Sequence, residues 1–347
     1  MPVLACGPSR PAYPYDDAQE EVIRQYTAKL LTQVVDTIGG AIKDLSPATL
    51  SFEQGLAGFA VNRRRAGRRD LPGPVDHDVP VLRVAGPDGR LRAIVFGYAC
   101  HATSLANYEV NGDWPGFAQH ELERSHPGAT ALFVTGCGAD ANPLPRRTVE
   151  LSKSYGRILA AVVDLVLDGK MKPVAGPLRA AFETVDLPFQ QPATRREFEE
   201  RLSDPRLRNY ARLMLGILDS EGKLPDRYPY PVQVWQFGRD LTWILLGGEV
   251  VVDYSLRLKK QNGWENVWVS GYSNDVMAYI PYGQPTPFRA AVEEIIIEKV
   301  GELIAGTASA QAVRSIGSGP FRGTAKAVTV NAMALALTIL QDDCVDY

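Results

Sequence analysis

Residues 91–104 read Leu-Arg-Ala-Ile-Val-Phe-Gly-Tyr-Ala-Cys-His-Ala-Thr-Ser, an apolar and β-branched run that gives way to polar residues. The run Leu91–Tyr98 predicts a buried strand that ends shortly before His101. A second such run, Val79–Val84, precedes it, and the Gly-Pro-Asp-Gly segment between them is typical of a turn. We therefore expect a hairpin or two neighbouring strands, with His101 just beyond the second strand.

The rest of the chain alternates helical periodicity with short strand-like runs. The predicted helices cover Asp17–Lys43, Pro115–Arg124, Val149–Leu167, Glu197–Leu218 and Phe288–Ile304, and the further predicted strands cover Ala129–Thr135, Leu178–Leu187, Val232–Phe237, Leu241–Leu246 and Val267–Ser270. This order predicts an α/β fold with a mixed central β-sheet flanked by helices. We expect one α/β domain over residues 1–305 and a poorly specified tail over residues 306–347, where periodicity is lost.

Charge and hydropathy exclude several classes of function. The 347 residues include 37 Lys plus Arg and 40 Asp plus Glu, so the formal net charge is −3 and nothing favours a nucleic acid partner. The longest apolar run, residues 327–340, is too short and interrupted to cross a bilayer, so we expect no transmembrane segment. The first residues lack the pattern of a signal peptide, and we expect a cytoplasmic protein as the sequence stands.

Polar residues stand at four places where predicted strands end, which is the usual position of sites in open α/β sheets. The four segments are 101–104 (HATS), 111–118 (NGDWPGFA), 136–143 (GCGADANP) and 247–250 (GGEV). A lone histidine, a Gly-Asp turn or a lone glutamate in such a place is more often structural than functional. Each segment by itself therefore indicates little.

Taken in chain order, these segments resemble the motifs of the neutral ceramidases, zinc-dependent amidases that cut the N-acyl bond of ceramide. Residues 98–104 (YACHATS) resemble the family's strand ending in His-Pro-Thr-Ser, and residues 112–118 (GDWPGFA) resemble its Ser-Asp-Asn-x-Gly-Tyr-Ala stretch. Residues 247–249 (GGE) resemble its Pro-Gly-Glu segment, and residues 270–279 (SGYSNDVMAY) match its Ser-Gly-x-x-Asn-x-x-x-x-Tyr element. The resemblance begins near residue 62, where Asn-Arg resembles an Asn-Arg-Ser element.

The resemblance implies a single zinc ion bound by His101, Glu249 and Tyr279, which stand where the family has ligands. Imidazole and carboxylate are ordinary zinc ligands, and a catalytic site keeps one position open for a water. The family has a further ligand in an upstream His-x-His-Ser-Gly-Pro element, and we expect this sequence to begin just past it. The fourth protein ligand is then missing, and we expect weak zinc binding.

The resemblance also implies catalytic and substrate-binding residues. In the family's Gly-Asp-Val-Ser-Pro loop the serine is treated as catalytic, and Asn142 stands in its place here. Because an amide can donate to a developing oxyanion but cannot act as a nucleophile, we expect metal-activated water to attack, with Asp140 or Asn142 orienting the substrate carbonyl. The alternative is that both residues only shape a turn. Substrate contacts are expected from Asn62, Arg63 and Asp113.

The leading hypothesis is a zinc-dependent hydrolase of ceramide or of a related lipid or small-molecule amide. The loop after Tyr279 is shorter than in the family, and no room remains for its C-terminal β-sandwich, so we interpret the chain as a truncated or degenerate member. The alternative is a catalytically inactive remnant of the same fold that binds a ligand. A serine hydrolase is disfavoured, because no Gly-x-Ser-x-Gly stands at a plausible strand-to-helix elbow. The resemblance leaves open that full-length relatives are secreted, and the sequence indicates no oligomeric state.

Overall fold

The computed structural model describes residues 17–64, 73–205, 207–280 and 292–309. In chain order its helices are α1 (Asp17–Lys43), α2 (Asp113–Ser125), α3 (Val149–Asp168), α4 (Arg195–Arg201), α5 (Arg208–Glu221), α6 (Val252–Asn262) and α7 (Val292–Ser309). Its strands are β1 (Thr49–Leu56), β2 (Ala60–Asn62), β3 (Asp78–Ala85), β4 (Leu91–Tyr98), β5 (Thr130–Thr135), β6 (Ala141–Pro143), β7 (Lys172–Val174), β8 (Leu178–Pro188), β9 (Arg227–Phe237), β10 (Leu241–Leu246), β11 (Glu249–Val250), β12 (Val267–Ser270) and β13 (Tyr279–Ile280).

The chain divides into two compact units. The first includes the described parts of Met1–Leu45 and Asp186–Pro229, and the second includes those of Ser46–Val185, Tyr230–Thr286 and Ala290–Tyr347. Every residue that the sequence nominated for a site belongs to the second unit.

The first unit contains helices α1, α4 and α5. Helix α1 has the predicted bounds, and α4 begins with a capping box between Thr194 and Glu197. The prediction of one continuous helix over Glu197–Leu218 is wrong, because α4 ends at Arg201 and α5 begins seven residues later. Pro205 lies in this break, where it has no N–H to donate and its ring would clash with the Arg201 carbonyl of a continuous helix.

The second unit is built on a five-stranded mixed sheet in the order β5-β4-β3-β1-β7. Strands β4 and β5 are parallel, and the other pairs are antiparallel. Side chains alternate between the two faces of β4: Ile94 and Phe96 pack among apolar residues of α2 and α3, while Val95 faces the opposite way. Both faces of the sheet are therefore covered, which explains the apolar, non-alternating sequence of β4.

A second mixed sheet, in the order β12-β10-β9-β8, packs against the first. Strands β10 and β12 are parallel, so Trp243 and Trp268 lie side by side with their rings stacked at 4.1 Å between centroids. Phe52 of the first sheet contacts Trp268 at 6.2 Å between ring centroids. The predicted α/β fold with a mixed sheet and flanking helices is confirmed, and the structure adds this second sheet to it.

Three strands, β4, β10 and β12, have the predicted bounds. The start of the helix predicted at Phe288 lies outside the described residues, as does most of the expected tail. The first four residues of that tail, 306–309, continue α7. The domain boundary at residue 305 therefore stays a prediction. No helix in the described ranges is both long and apolar enough to cross a bilayer.

Candidate functional site

The carboxyl ends of the parallel strand pairs adjoin in the second unit. The Gly271 N–H, just beyond β12, donates to the Thr135 carbonyl oxygen at the end of β5 (3.2 Å), and Gly136 forms a β-bridge with Ser270. The loops after β4, β5, β10 and β12 are thereby brought together. This is the edge at which open α/β sheets usually bind ligands, and the loops carry most of the predicted site residues.

His101 lies three residues beyond β4 and is buried. Its backbone N–H donates to the Ala141 carbonyl oxygen (3.0 Å), and its ring Nδ1 lies 3.0 Å from the same oxygen. Because a carbonyl oxygen can only accept, Nδ1 carries a proton, and a neutral ring then has its lone pair on Nε2. Such an anchored imidazole is the usual form of a metal-binding histidine.

Glu249 and Tyr279 are brought together by the short parallel pair β11 and β13, in which they are direct partners. Glu249 Oε2 lies 3.2 Å from His101 Nε2, and the Tyr279 side chain also hydrogen-bonds to the carboxylate. Burial opposes ionisation of Glu249, but its contacts with His101, Tyr279 and Tyr272 outweigh burial and hold the carboxyl pKa below its usual value. The structure thus assembles all three expected zinc ligands, while their role as ligands stays a prediction.

Glycine is required at position 248 for this assembly. Gly248 has a φ of +71°, and a Cβ there would lie 2.8 Å from the Ala278 carbonyl oxygen and 2.7 Å from Ile280 Cγ1. Only glycine combines the left-handed conformation with such close backbone approach. The Gly-Glu dipeptide therefore brings the Glu249 backbone directly against β13.

Tyr272 adds a second phenol, which the sequence did not nominate. Its Oη lies 3.3 Å from both His101 Nε2 and Glu249 Oε2. Its φ of +54° is uncommon for a bulky residue, and its N–H donates to the Gly248 carbonyl oxygen (2.9 Å). Tyr272 lies within the quoted element 270–279, but the resemblance assigns the metal to Tyr279, the last residue of that element. It therefore gave no reason to nominate Tyr272.

The donor chemistry of this cluster fits a zinc ion. His101 Nε2 and Glu249 Oε2 lie 3.2 Å apart, and an imidazole nitrogen without a proton and a carboxylate oxygen are both zinc donors. Donors of a tetrahedral zinc site, with bonds of about 2.0–2.1 Å, stand about 3.3–3.4 Å apart. Within the described ranges no group of three His, Cys, Asp or Glu side chains could hold a metal, and in this cluster the phenol oxygens of Tyr272 and Tyr279 stand beside His101 and Glu249.

Arg63 fixes the position of Tyr279. Its Nη2 donates to Tyr279 Oη (2.9 Å), and both Nε and Nη2 donate to the Ala139 carbonyl oxygen (3.2 and 3.1 Å). The guanidinium carbon also lies 5.4 Å from the centroid of the Tyr279 ring. These contacts place a positive charge beside the phenol oxygen, and the expected substrate contact of Arg63 stays a prediction.

Asp140 and Asn62 are both buried, and their side chains are hydrogen-bonded to each other. Asp140 Oδ2 accepts from Asn62 Nδ2 (2.8 Å), and Oδ1 accepts from the Val252 N–H at the start of α6 (3.0 Å). Asn62 Nδ2 also donates to the Pro74 carbonyl oxygen (2.9 Å). Both carboxylate oxygens of Asp140 are thus engaged with protein groups, which favours a positioning role over direct chemistry.

Asn142 lies in β6, opposite Val61 of β2, and is buried. Its Oδ1 accepts from Thr103 Oγ1 (3.4 Å), and Thr103 is two residues from His101. The preceding residue, Ala141, holds the His101 ring. Asn142 is therefore close in sequence and structure to the groups that fix the imidazole, and its amide is a hydrogen-bond donor.

Two solved structures resemble this fold. A neutral ceramidase from Pseudomonas aeruginosa superposes with a TM-score of 0.63 at 18% identity, over 86% of this chain and 58% of that one. The chain has a ceramidase-like fold. A ceramidase complexed with C2 matches with a TM-score of 0.57 at 17% identity, over 79% of this chain and 56% of that one. No family model and no curated protein matches the sequence.

The ceramidase-like fold of this chain spans a little over half the length of those two structures. The fold expected from the order of the motifs is confirmed. Identities of 17–18% carry the likeness no further than the fold, so the chemistry of this ceramidase-like chain depends on its own residues.

Asp113 has a structural place in the ceramidase-like fold. Its Oδ1 accepts from Ser104 Oγ, from Ser152 Oγ (3.3 Å) and from the Trp114 N–H (2.6 Å), and its Oδ2 accepts from the Leu105 N–H (2.9 Å). These bonds tie the loop after His101 to the first turns of α2 and α3. They support a positioning role for Asp113, and its expected contact with substrate stays a prediction.

Proposed function

We propose that this chain is a zinc-dependent hydrolase that cuts an N-acyl amide bond in ceramide or a related lipid or small-molecule amide. The observation that carries the proposal is the 3.2 Å approach of His101 Nε2 to Glu249 Oε2, with the Tyr279 side chain hydrogen-bonded to the same carboxylate. At this distance either a proton on Nε2 or a shared cation must join the two atoms, and the proposal assigns a zinc ion to that place. Glu249 is 23% exposed, so the pair is not sealed from solvent.

His101, Glu249 and Tyr279 would hold the zinc ion. When bound, the ion lowers the pKa of a water molecule and polarises a carbonyl group, which is the chemistry that amide hydrolysis needs. The Ala141 carbonyl keeps the imidazole in the tautomer whose Nε2 can donate its lone pair. Arg63 holds the Tyr279 oxygen in place and offsets negative charge that develops on it.

Asn142 is the residue that we assign to the substrate carbonyl. Its amide can donate a hydrogen bond to an oxygen that becomes negative as the amide carbon turns tetrahedral. Asp140 acts indirectly, since its two oxygens connect Asn62 to the start of α6 and so position the neighbouring loop. No side-chain nucleophile is needed, because water supplies the attacking oxygen.

The choice of ceramide as first substrate comes from the two ceramidases of similar fold. Because this chain spans a little over half of each, the substrate panel should also include short N-acyl amides and acyl-peptide amides. Smaller amides test hydrolysis independently of lipid contacts made by the parts of those two proteins that this chain does not span.

Metal analysis combined with hydrolysis assays tests the proposal. The full chain, reconstituted with zinc and dialysed, should retain stoichiometric zinc and hydrolyse at least one amide. Glu249→Gln should lose both properties, whereas Glu221→Gln, an exposed change at the end of α5, should lose neither. A wild-type chain that holds far less than stoichiometric zinc and cuts no amide would overturn the proposal.

A ligand-binding protein without catalysis is the second candidate, and one observation favours it. If His101 carries protons on both nitrogens, Nε2 donates to Glu249 Oε2 and the cluster is satisfied without a metal. Under this alternative, a ceramide-like lipid should raise the melting temperature equally with and without chelator. Under the hydrolase proposal, chelator should abolish hydrolysis and lower the melting temperature of the zinc-loaded protein.

A further inference from the structure

Three donor atoms in the site already have the spacing of a metal shell. Tyr272 Oη lies 3.3 Å from His101 Nε2 and 3.3 Å from Glu249 Oε2, and the last two atoms lie 3.2 Å apart. The triangle is therefore almost equilateral. Its edges match the separation of about 3.3–3.4 Å that a tetrahedral zinc site imposes on its donors.

The hydroxyl of Tyr272 contacts the same two atoms that the proposed function assigns to zinc. Its hydroxyl has one proton, which it can donate to His101 Nε2 or to Glu249 Oε2 but not to both at full strength. If it donates to Glu249 Oε2, its contact with His101 Nε2 is a hydrogen bond only where that nitrogen carries a proton. As a metal donor, the same oxygen needs no proton, and all three contacts become neighbouring positions around one cation.

The backbone holds Tyr272 at this point despite an unfavourable conformation. Its φ of +54° is rare for an aromatic residue, and such residues cluster at functional sites. The Tyr272 N–H donates to the Gly248 carbonyl oxygen (2.9 Å), and the next N–H, of Ser273, donates to the Leu246 carbonyl oxygen (2.9 Å). The loop that carries Glu249 therefore also fixes Tyr272.

We propose that Tyr272 is a zinc donor of this chain, beside His101 and Glu249. The inference rests on the proposed function and adds a phenol that the resemblance to ceramidases does not assign. On binding, the O–H bond of Tyr272 breaks, its proton passes to solvent, and an O–Zn bond forms. Tyr279, whose oxygen accepts from Arg63, completes a set of one imidazole, one carboxylate and two phenol oxygens.

Tyr272→Phe in the full chain tests the inference without activity as the readout. Competition with a chromophoric chelator gives the zinc dissociation constant, which should rise at least about tenfold, since even loss of an outer partner typically costs 10–100-fold. Tyr108→Phe removes a phenol that is 92% exposed and should leave zinc affinity unchanged. Circular dichroism and the melting temperature of the apo proteins verify that both variants fold.

Ultraviolet difference spectra on adding zinc give a second readout that does not depend on the stability of one variant. Wild type should develop the tyrosinate band of two phenols, and both Tyr272→Phe and Tyr279→Phe should develop about half of it. A wild-type signal that Tyr279→Phe abolishes, together with unchanged zinc affinity in Tyr272→Phe, would overturn the inference and leave the proposed function standing. Zinc binding that depends on Tyr272, without hydrolysis of any amide, would support the inference and overturn the proposed function. A wild-type chain that binds no zinc would overturn both.

Discussion

Asp140→Asn is the change that best separates positioning from chemistry in this site. Asp140 is 4% exposed and accepts two hydrogen bonds, from Asn62 Nδ2 and from the Val252 N–H. The asparagine amide keeps one acceptor oxygen but presents an NH₂ group to the other donor. One buried donor is then left facing a donor, and the negative charge at the start of α6 is lost.

The cost follows from these contacts. Hydrogen bonds to a charged group contribute about 1.5–3 kcal/mol each, a buried unsatisfied donor costs about 1–3 kcal/mol, and a carboxylate at a helix N-terminus adds about 0.3–1 kcal/mol. Because these effects overlap, we expect the free energy of unfolding to fall by roughly 2–4 kcal/mol. Zinc affinity should fall only modestly, since Asp140 is not among the donors.

Urea unfolding followed by tryptophan fluorescence measures this loss, and hydrolysis is assayed well below the transition. Asp88→Asn is the matched control, because Asp88 also accepts a backbone N–H but in an exposed turn, and it should change stability by less than about 0.5 kcal/mol. A loss below about 1 kcal/mol in Asp140→Asn, combined with abolished hydrolysis, would refute the positioning role and place Asp140 in the chemistry.

Three further predictions concern other parts of the second unit. Burial lowers the pKa of Lys259, but the buried Asp76 and the partly buried Asp78 outweigh it and raise that pKa above its usual value. The stabilisation is therefore full below the unfolded pKa and lost as pH rises through the higher folded pKa, and Lys259→Met should remove this alkaline loss in urea titrations. Asn142→Ala should lower kcat by about 100-fold with little change in KM, as removal of an oxyanion donor does. Gly248→Ala should destabilise the fold by at least about 1–2 kcal/mol, because of its φ of +71°, and weaken zinc binding in the chelator competition.

Local pattern is enough to predict the strands that carry the site. Residues 94–98 of β4 are buried between helices and a second sheet, so this part of the strand is apolar, and the strand is predicted with its observed bounds. The polar residue that follows, His101, then stands where a strand end predicts a site. The meeting of His101, Glu249 and Tyr279 was expected from the order of motifs, and the structure shows the pairing of β11 with β13 that produces it.

Features that depend on distant residues could not be predicted in the same way. Helix α6 begins after Val251, which has no side-chain cap, and its first N–H is bonded by Asp140, 112 residues earlier in the chain. A search for a local Ser, Thr or Asp cap therefore finds no start signal there. For a similar reason, Tyr272 could not be nominated. Its left-handed φ goes with a hydrogen bond from its N–H to the carbonyl oxygen of Gly248, a residue distant in sequence, and tyrosine is not a residue type that predicts such a φ.

The side chains that we propose as zinc donors are held in place mainly by backbone groups, and this decides how informative their substitutions are. The Ala141 carbonyl anchors the His101 ring, the register of β11 and β13 places Glu249, and two backbone hydrogen bonds fix the loop of Tyr272. Replacing a terminal oxygen, as in Tyr272→Phe, leaves these backbone bonds intact. A loss of zinc affinity without a matching loss of stability therefore reports on coordination, whereas damage to Asp140 or Gly248 should reduce both together.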